Sequence, residues 1–132
     1  MYVFKGKVEE YSKRSNELNE SADCSVKALA TVLNTTYDKA HFHLKEHCGR
    51  KNGQGIYSKD VIPQSLKNTK YVVGEYSRSN KITVKQFCEK HNIGRYYVCV
   101  RGHAFAIIDG QVYDHFDKPR RRILWAMRVY ID

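Results

Sequence analysis

Apolar positions in the first half of the chain recur at helical spacing. Segment 21–33 places its apolar side chains three and four residues apart, and Ser21 or Asp23 can cap the first turn. The spacing predicts an amphipathic helix. Cys24 then lies at the N-terminus of that helix.

Further helices are predicted from caps and terminators. Thr36 or Asp38 can cap a second helix, and Gly49 can end it in the left-handed conformation. A helical turn is expected near 61–66, and Thr83 opens a short third helix. We expect the second helix to pack back on the first.

The second half of the chain changes to β-branched and aromatic runs. Asp109 and Gly110 separate two of these runs and predict a tight hairpin. A short strand is also expected at 71–73. The main predicted strands are 96–102, 103–109, 111–116 and 125–131. Helices followed by a meander of strands predict an α+β fold in which N-terminal helices pack on a C-terminal antiparallel sheet. We expect this fold to form a single domain over residues 1–132.

Composition fits a globular intracellular protein. The chain has 132 residues, of which 42% are apolar and 12% aromatic, and no run approaches the length of a membrane span. The N-terminal stretch is charged throughout, so we expect neither export nor membrane insertion. The four cysteines form no CxxC pair, which favours free thiols in a reducing cytoplasm.

The net charge of +9 favours association with anionic partners. Its densest cluster is Lys118, Arg120, Arg121 and Arg122, which predicts a patch for nucleic acid or an acidic protein. A solvated basic surface without a partner explains the same residues.

A nucleophilic site is predicted from three separated residues. A helix N-terminus favours the thiolate of Cys24, and that thiolate needs an imidazole and a group to orient it. His103 opens the best strand of the sequence. The hairpin return brings Asp114 diagonally across from His103, with Asp117 as the substitute if a bulge shifts the register.

The order of these residues resembles the papain-like cysteine peptidase superfamily, and within it the small bacteriocin-processing-like and phage-encoded members. The resemblance implies Cys24 as nucleophile, His103 as general base and Asp114 as orienter, in hydrolysis of an amide, peptide or isopeptide bond through an acyl-enzyme. It also implies a protein or peptide substrate, such as a host protein in the cytoplasm. The family commonly has a Gln before the cysteine, and here Asn19 is the residue that could offer such an amide to the oxyanion.

Several alternatives remain open. A metal site is suggested by His41, His43 and His47 with Cys48. A polar helix face explains these residues and no matching ligand pair occurs elsewhere, so we predict neither metal nor cofactor. The chain could also be a papain-like scaffold without activity, or a small basic binding module.

Overall fold

The computed structural model describes residues 6–56, 60–78, 81–114 and 119–131. The sequence-based expectations for Asp117 and Lys118 lie outside these residues. The described residues form five helices, α1 (Gly6–Glu17), α2 (Cys24–Val32), α3 (Tyr37–Cys48), α4 (Val61–Ser65) and α5 (Val84–Lys90), and five strands, β1 (Val72–Arg78), β2 (Arg95–Val100), β3 (His103–Ile108), β4 (Gln111–Tyr113) and β5 (Ile123–Tyr130). The predicted α+β class is confirmed.

The caps predicted for α3 are present. The Thr36 hydroxyl accepts a hydrogen bond from the Lys39 N–H at 3.2 Å, and Gly49 ends the helix with φ of 73°. A glycine suits this position because other residues are strained in the left-handed region. Thr83 caps α5 through a reciprocal capping box with Gln86.

The cap predicted for α2 takes a different form. Asp23 is the N-cap residue, but its carboxylate makes no capping hydrogen bond. It accepts a hydrogen bond from the Tyr37 hydroxyl at 2.7 Å and pairs with Lys27 at 3.5 Å. Asp23 therefore ties the start of α2 to the start of α3.

Helix α1 was absent from the sequence-based prediction, because its sequence is mostly charged and polar. Tyr11 and Ser15 are buried one turn apart on one side of this helix. The Tyr11 hydroxyl donates to the Thr35 carbonyl at 2.6 Å. A single ring, together with contacts made by α2 and α3, therefore anchors α1.

The strand order corrects the predicted meander. Within the described residues the sheet runs β1-β5-β2-β3-β4. The last strand lies in the interior, antiparallel to both β1 and β2, and the strand expected at 71–73 extends into the longer β1 at the sheet edge. Five of the eight residues of β5 are buried, among them the consecutive Trp125, Ala126 and Met127, so an interior position covers both of its faces.

The β3–β4 hairpin has the predicted register. Ile108 pairs with Gln111, and Ile107 pairs with Val112. Asp109 and Gly110 are the two turn residues and both have positive φ, as a type I′ turn requires. This register carries the chain on to Asp114, beside the start of β3.

The helices occupy both faces of the sheet, with the N-terminal helices together on one face. One apolar core joins α1–α4 to one sheet face through residues such as Leu29, Tyr97 and Met127. A second core joins α5 to the opposite face through residues such as Phe87 and Ile107. None of the helices in the described part of the chain is long and apolar enough to cross a membrane.

Candidate active site

Helix α2 has a fixed direction relative to the sheet. The Arg95 guanidinium donates hydrogen bonds at 2.8 Å to the carbonyls of Val32 and Thr31, the last residues of the helix. This cation neutralises the negative end of the helix dipole. Because Arg95 begins β2, Cys24 at the other end of α2 lies near the end of β2 and the start of β3.

His103 and Asp114 form a close pair at the same end of the sheet. His103 Nε2 lies 2.7 Å from Asp114 Oδ2, and the side chains are 20% and 10% exposed. The imidazole also stacks on Phe105 at 5.8 Å between ring centroids. Two neighbours therefore fix the orientation of the ring.

The Cys24 thiol completes the cluster. Burial alone would lower the pKa of His103, but its hydrogen bonds with Asp114 and with Cys24, and the negative charge on both partners, raise the pKa to about 9. Since Asp114 occupies Nε2, Nδ1 is the ring nitrogen left for the Cys24 thiol. The three residues that the sequence singled out thus meet through one imidazole.

A second thiol lies close to this cluster. Burial first, and then the negative charge of Cys24, raise the pKa of Cys99 to about 11. Burial also raises the pKa of the Cys48 thiol. None of the four cysteines, all of which lie in the described residues, forms a disulfide, and Cys99 and Cys48 are held in the neutral thiol form near pH 7.

Asn19 lies in the turn between α1 and α2. Its backbone has φ of 53°, its N–H donates to the Asn16 carbonyl at 3.1 Å, and its side chain is exposed. Its role as an oxyanion donor stays a prediction. The N–H of Cys24, which begins α2, is the other donor proposed from the sequence.

A buried ion pair next to Asn19 escaped the sequence analysis. The Glu20 and Arg50 side chains are 2% and 0% exposed and form two hydrogen bonds of 3.1 Å. Glu20 also accepts from the Gly53 N–H at 2.6 Å, from the Ser21 N–H, and from His41 at 2.7 Å. Burial would raise the pKa of Glu20, but these partners, Arg50 foremost, lower it to about 2. This network joins the segment before Cys24 to α3 and to the loop that follows it.

The histidines of α3 have partners within the protein. His41 contacts Glu20, and His43 Nε2 lies 2.9 Å from the Ser65 hydroxyl of α4. His47 packs against His43. In the part of the chain that the structure describes, no three His, Cys, Asp or Glu side chains converge as metal ligands.

The predicted basic patch lies next to the β2–β3 turn. The Arg121 guanidinium donates to the carbonyl of Arg101, and Arg122 donates to the Lys81 carbonyl at 2.9 Å. Arg120 is exposed. The three arginines therefore lie at the end of the sheet that also holds His103.

Comparison with known proteins gives no matching family model, no matching curated protein and no matching solved structure.

Proposed function

We propose that this protein is a cysteine hydrolase of papain-like type that cleaves amide, peptide or isopeptide bonds. The observation that carries the proposal is a single imidazole, His103, hydrogen-bonded to both the Asp114 carboxylate and the Cys24 thiol. Thiol hydrolases need this set of a nucleophile, a base and an orienting group. The packing of the nucleophile helix on an antiparallel sheet also supports the papain-like resemblance.

The first half of the reaction forms an acyl-enzyme. The thiol proton passes from Cys24 to His103, and the thiolate attacks the carbonyl carbon of the substrate. The negative charge moves to the carbonyl oxygen, where the backbone N–H at the start of α2 can stabilise it. His103 then gives its proton to the leaving amine as the carbon–nitrogen bond breaks, which leaves a thioester on Cys24.

The second half returns the free enzyme. His103 takes a proton from a water molecule, and the resulting hydroxide attacks the thioester carbonyl. The carbon–sulfur bond breaks, a carboxylic acid leaves, and the proton on His103 returns to the Cys24 sulfur. Asp114 stays ionised throughout and holds the ring in the orientation that aims the other nitrogen at sulfur.

The substrate is proposed to be a protein or peptide. From the resemblance to phage-encoded members, we further propose that the chain is phage-encoded and that its substrate is a host protein.

The test is the pH dependence of iodoacetamide alkylation at Cys24, read by peptide mass. Wild type is compared with His103→Ala, and His47→Ala serves as the matched control because its imidazole is exposed on α3. Alkylation of Cys48 in the same samples provides an internal reference thiol. Incubation with a p-nitrophenyl ester, followed by intact-mass measurement, detects an acyl group on Cys24.

We expect rapid alkylation of Cys24 at about pH 6 in wild type and in His47→Ala, and its loss in His103→Ala. An acyl adduct that Cys24→Ser abolishes would support the thioester pathway. Slow alkylation that rises only near the ordinary thiol pKa of about 8.5, with no effect of His103→Ala, would refute an activated pair. An activated pair that forms no acyl adduct would indicate a scaffold that has lost its activity.

A further inference from the structure

Six basic side chains form a single surface that the proposed reaction does not use. They come from segments 81–85, 101–102 and 119–122, which contain no Asp or Glu. We call this surface the basic cluster, and its members are Lys81, Lys85, Arg101, Arg120, Arg121 and Arg122. All of them are exposed except Arg121, which is half-buried.

Hydrogen bonds to backbone groups join the three segments. The Arg121 guanidinium donates to the carbonyl of Arg101, and Arg122 donates to the carbonyl of Lys81. The N–H of Lys85 donates to the Pro119 carbonyl at 3.0 Å, and an isolated bridge pairs Thr83 with Arg122. The cluster is therefore built into the fold, because its members are held by the ends of β2, β3, β5 and α5.

The basic cluster borders the candidate active site. Arg101 and Gly102 form the turn that leads directly into His103, so the α-carbons of Arg101 and His103 are at most about 7 Å apart. Val100, the last residue of β2, pairs with Ile123, so segment 119–122 continues past the same end of the sheet. A peptide bound at Cys24 would thus extend over or beside these cations.

We propose that the basic cluster selects protein substrates that carry Asp or Glu next to the scissile bond. This inference rests on the proposed hydrolase function, since it assigns the substrate class of that site. Guanidinium groups bind carboxylates through two parallel hydrogen bonds, and a field of one sign at a cleft raises the local concentration of oppositely charged substrate. The cluster supplies both features on one side of the reactive pair.

An acidic polypeptide fits the cluster better than a single-stranded nucleic acid. Binding of single strands relies on exposed aromatic rings on which bases stack. The aromatic residues of the neighbouring strands, Tyr96, Tyr97, Phe105 and Trp125, are at most 5% exposed. These rings pack in the two cores of the sheet and are not available for stacking.

The test measures how fast Cys24 is labelled by charged and neutral peptide electrophiles. Two chloroacetyl peptides are compared, one ending in two glutamates and the other in two glutamines. A second pair carries the electrophile at the opposite end, so that the acidic residues are presented on either side of Cys24. The variant is Arg101→Glu with Arg120→Glu. The matched control is Lys45→Glu with Lys67→Glu, which changes net charge equally at exposed positions on α3 and just after α4.

We expect wild type to prefer a glutamate probe by about 10-fold or more at low salt, with the preference falling as salt is added. The preference should disappear in the Arg101/Arg120 variant and persist in the Lys45/Lys67 control. Equal rates for both probes in wild type, or a preference that survives in the Arg101/Arg120 variant, would overturn the proposal. So would binding of a single-stranded oligonucleotide of about 20 nucleotides at about 0.15 M salt that depends on Arg101 and Arg120 while the probes react equally.

If Cys24 and His103 do not form an activated pair, the labelling rates would differ in another way. Cys24 would then react with the glutamine probe at the rate of an ordinary thiol, and His103→Ala would not change that rate. The ratio of glutamate to glutamine labelling still reports the basic cluster in that case, because it depends on charge near Cys24 and not on activation of the thiol.

Discussion

Replacing Asp114 by Asn tests the central contact of the site. The substitution keeps the size of the side chain but removes the negative charge 2.7 Å from His103 Nε2. An opposite charge this close raises the pKa of an imidazole by about 1–3, so the pKa of His103 should fall from about 9 toward its ordinary value of 6.5. A fall of about 2 would lower the imidazolium fraction at pH 7.5 from about 97% to about 24%. Alkylation of Cys24 at that pH should slow by about fourfold or more.

The same contact contributes to stability in a defined pH window. Because the pKa of His103 is raised on folding, the charged pair stabilises the protein fully below about pH 6.5, and this contribution is lost as the pH rises through about 9. The whole difference in pKa, to which Cys24 also contributes, corresponds to about 3 kcal/mol. The loss of unfolding free energy in Asp114→Asn should therefore be greatest near pH 6 and shrink toward pH 9.

The direct assay follows the ring resonance of His103 by NMR across this pH range, with the signal assigned through His103→Gln. Asp38→Asn is the matched control, because it removes an exposed carboxylate whose ion-pair partner is Arg14 of α1. It should leave the titration of His103 unchanged. A wild-type His103 that titrates near 6.5, or a titration that Asp114→Asn does not move, would refute the reasoning.

Three further predictions concern the framework of the site. Arg50→Met leaves the Glu20 carboxylate buried without its cation and should cost about 3–5 kcal/mol in urea unfolding at neutral pH, and adding Glu20→Gln should recover part of the loss. The pKa of Glu20 is lowered to about 2, so the wild-type pair stabilises the protein above about pH 4.5 and loses this effect as the pH falls toward 2. An equal cost of Arg50→Met at acidic and neutral pH would contradict this account. Arg95→Met removes two hydrogen bonds to the end of α2 and should lower the free energy of unfolding by about 2 kcal/mol, whereas a change within error would show that the helix end needs no such cap. Gly110→Ala should cost at least about 1 kcal/mol more than Gly49→Ala, because both have φ near 75° but only at Gly110 would the new Cβ lie 2.9 Å from a carbonyl oxygen of α5.

The sequence determined the parts of the site that depend on local rules. Asp109 and Gly110 require positive φ, and a two-residue turn fixes which residues of β3 and β4 lie opposite one another. That register is why the contact between Asp114 and His103 could be predicted from sequence alone. The position of Cys24 at the start of a helix likewise followed from the spacing of apolar residues in that helix.

Long-range pairing was decided only in the tertiary structure. The sequence placed β5 at the end of a meander, but nothing local specifies whether a strand pairs with its predecessor or inserts between β1 and β2. Burial of both faces of β5 decides the matter, and that depends on α5 covering the second face. The same limit applies to α1, whose polar sequence becomes helical because Tyr11 is anchored on α2 and on the loop between α2 and α3.

The charged residues also show which features the sequence determines and which only the folded chain decides. Glu20 and Arg50 are 30 residues apart, and in the sequence each resembles an ordinary surface charge. Folding removes both side chains from water and pairs them with each other, with His41 and with nearby backbone groups. The sequence identified the arginines at 120–122 as a basic run, and their location beside His103 follows from how β5 enters the sheet. Short-range spacing thus determined which residues could react, and the packing of distant segments decided what surrounds them, because burial and charge pairing are properties of the folded chain.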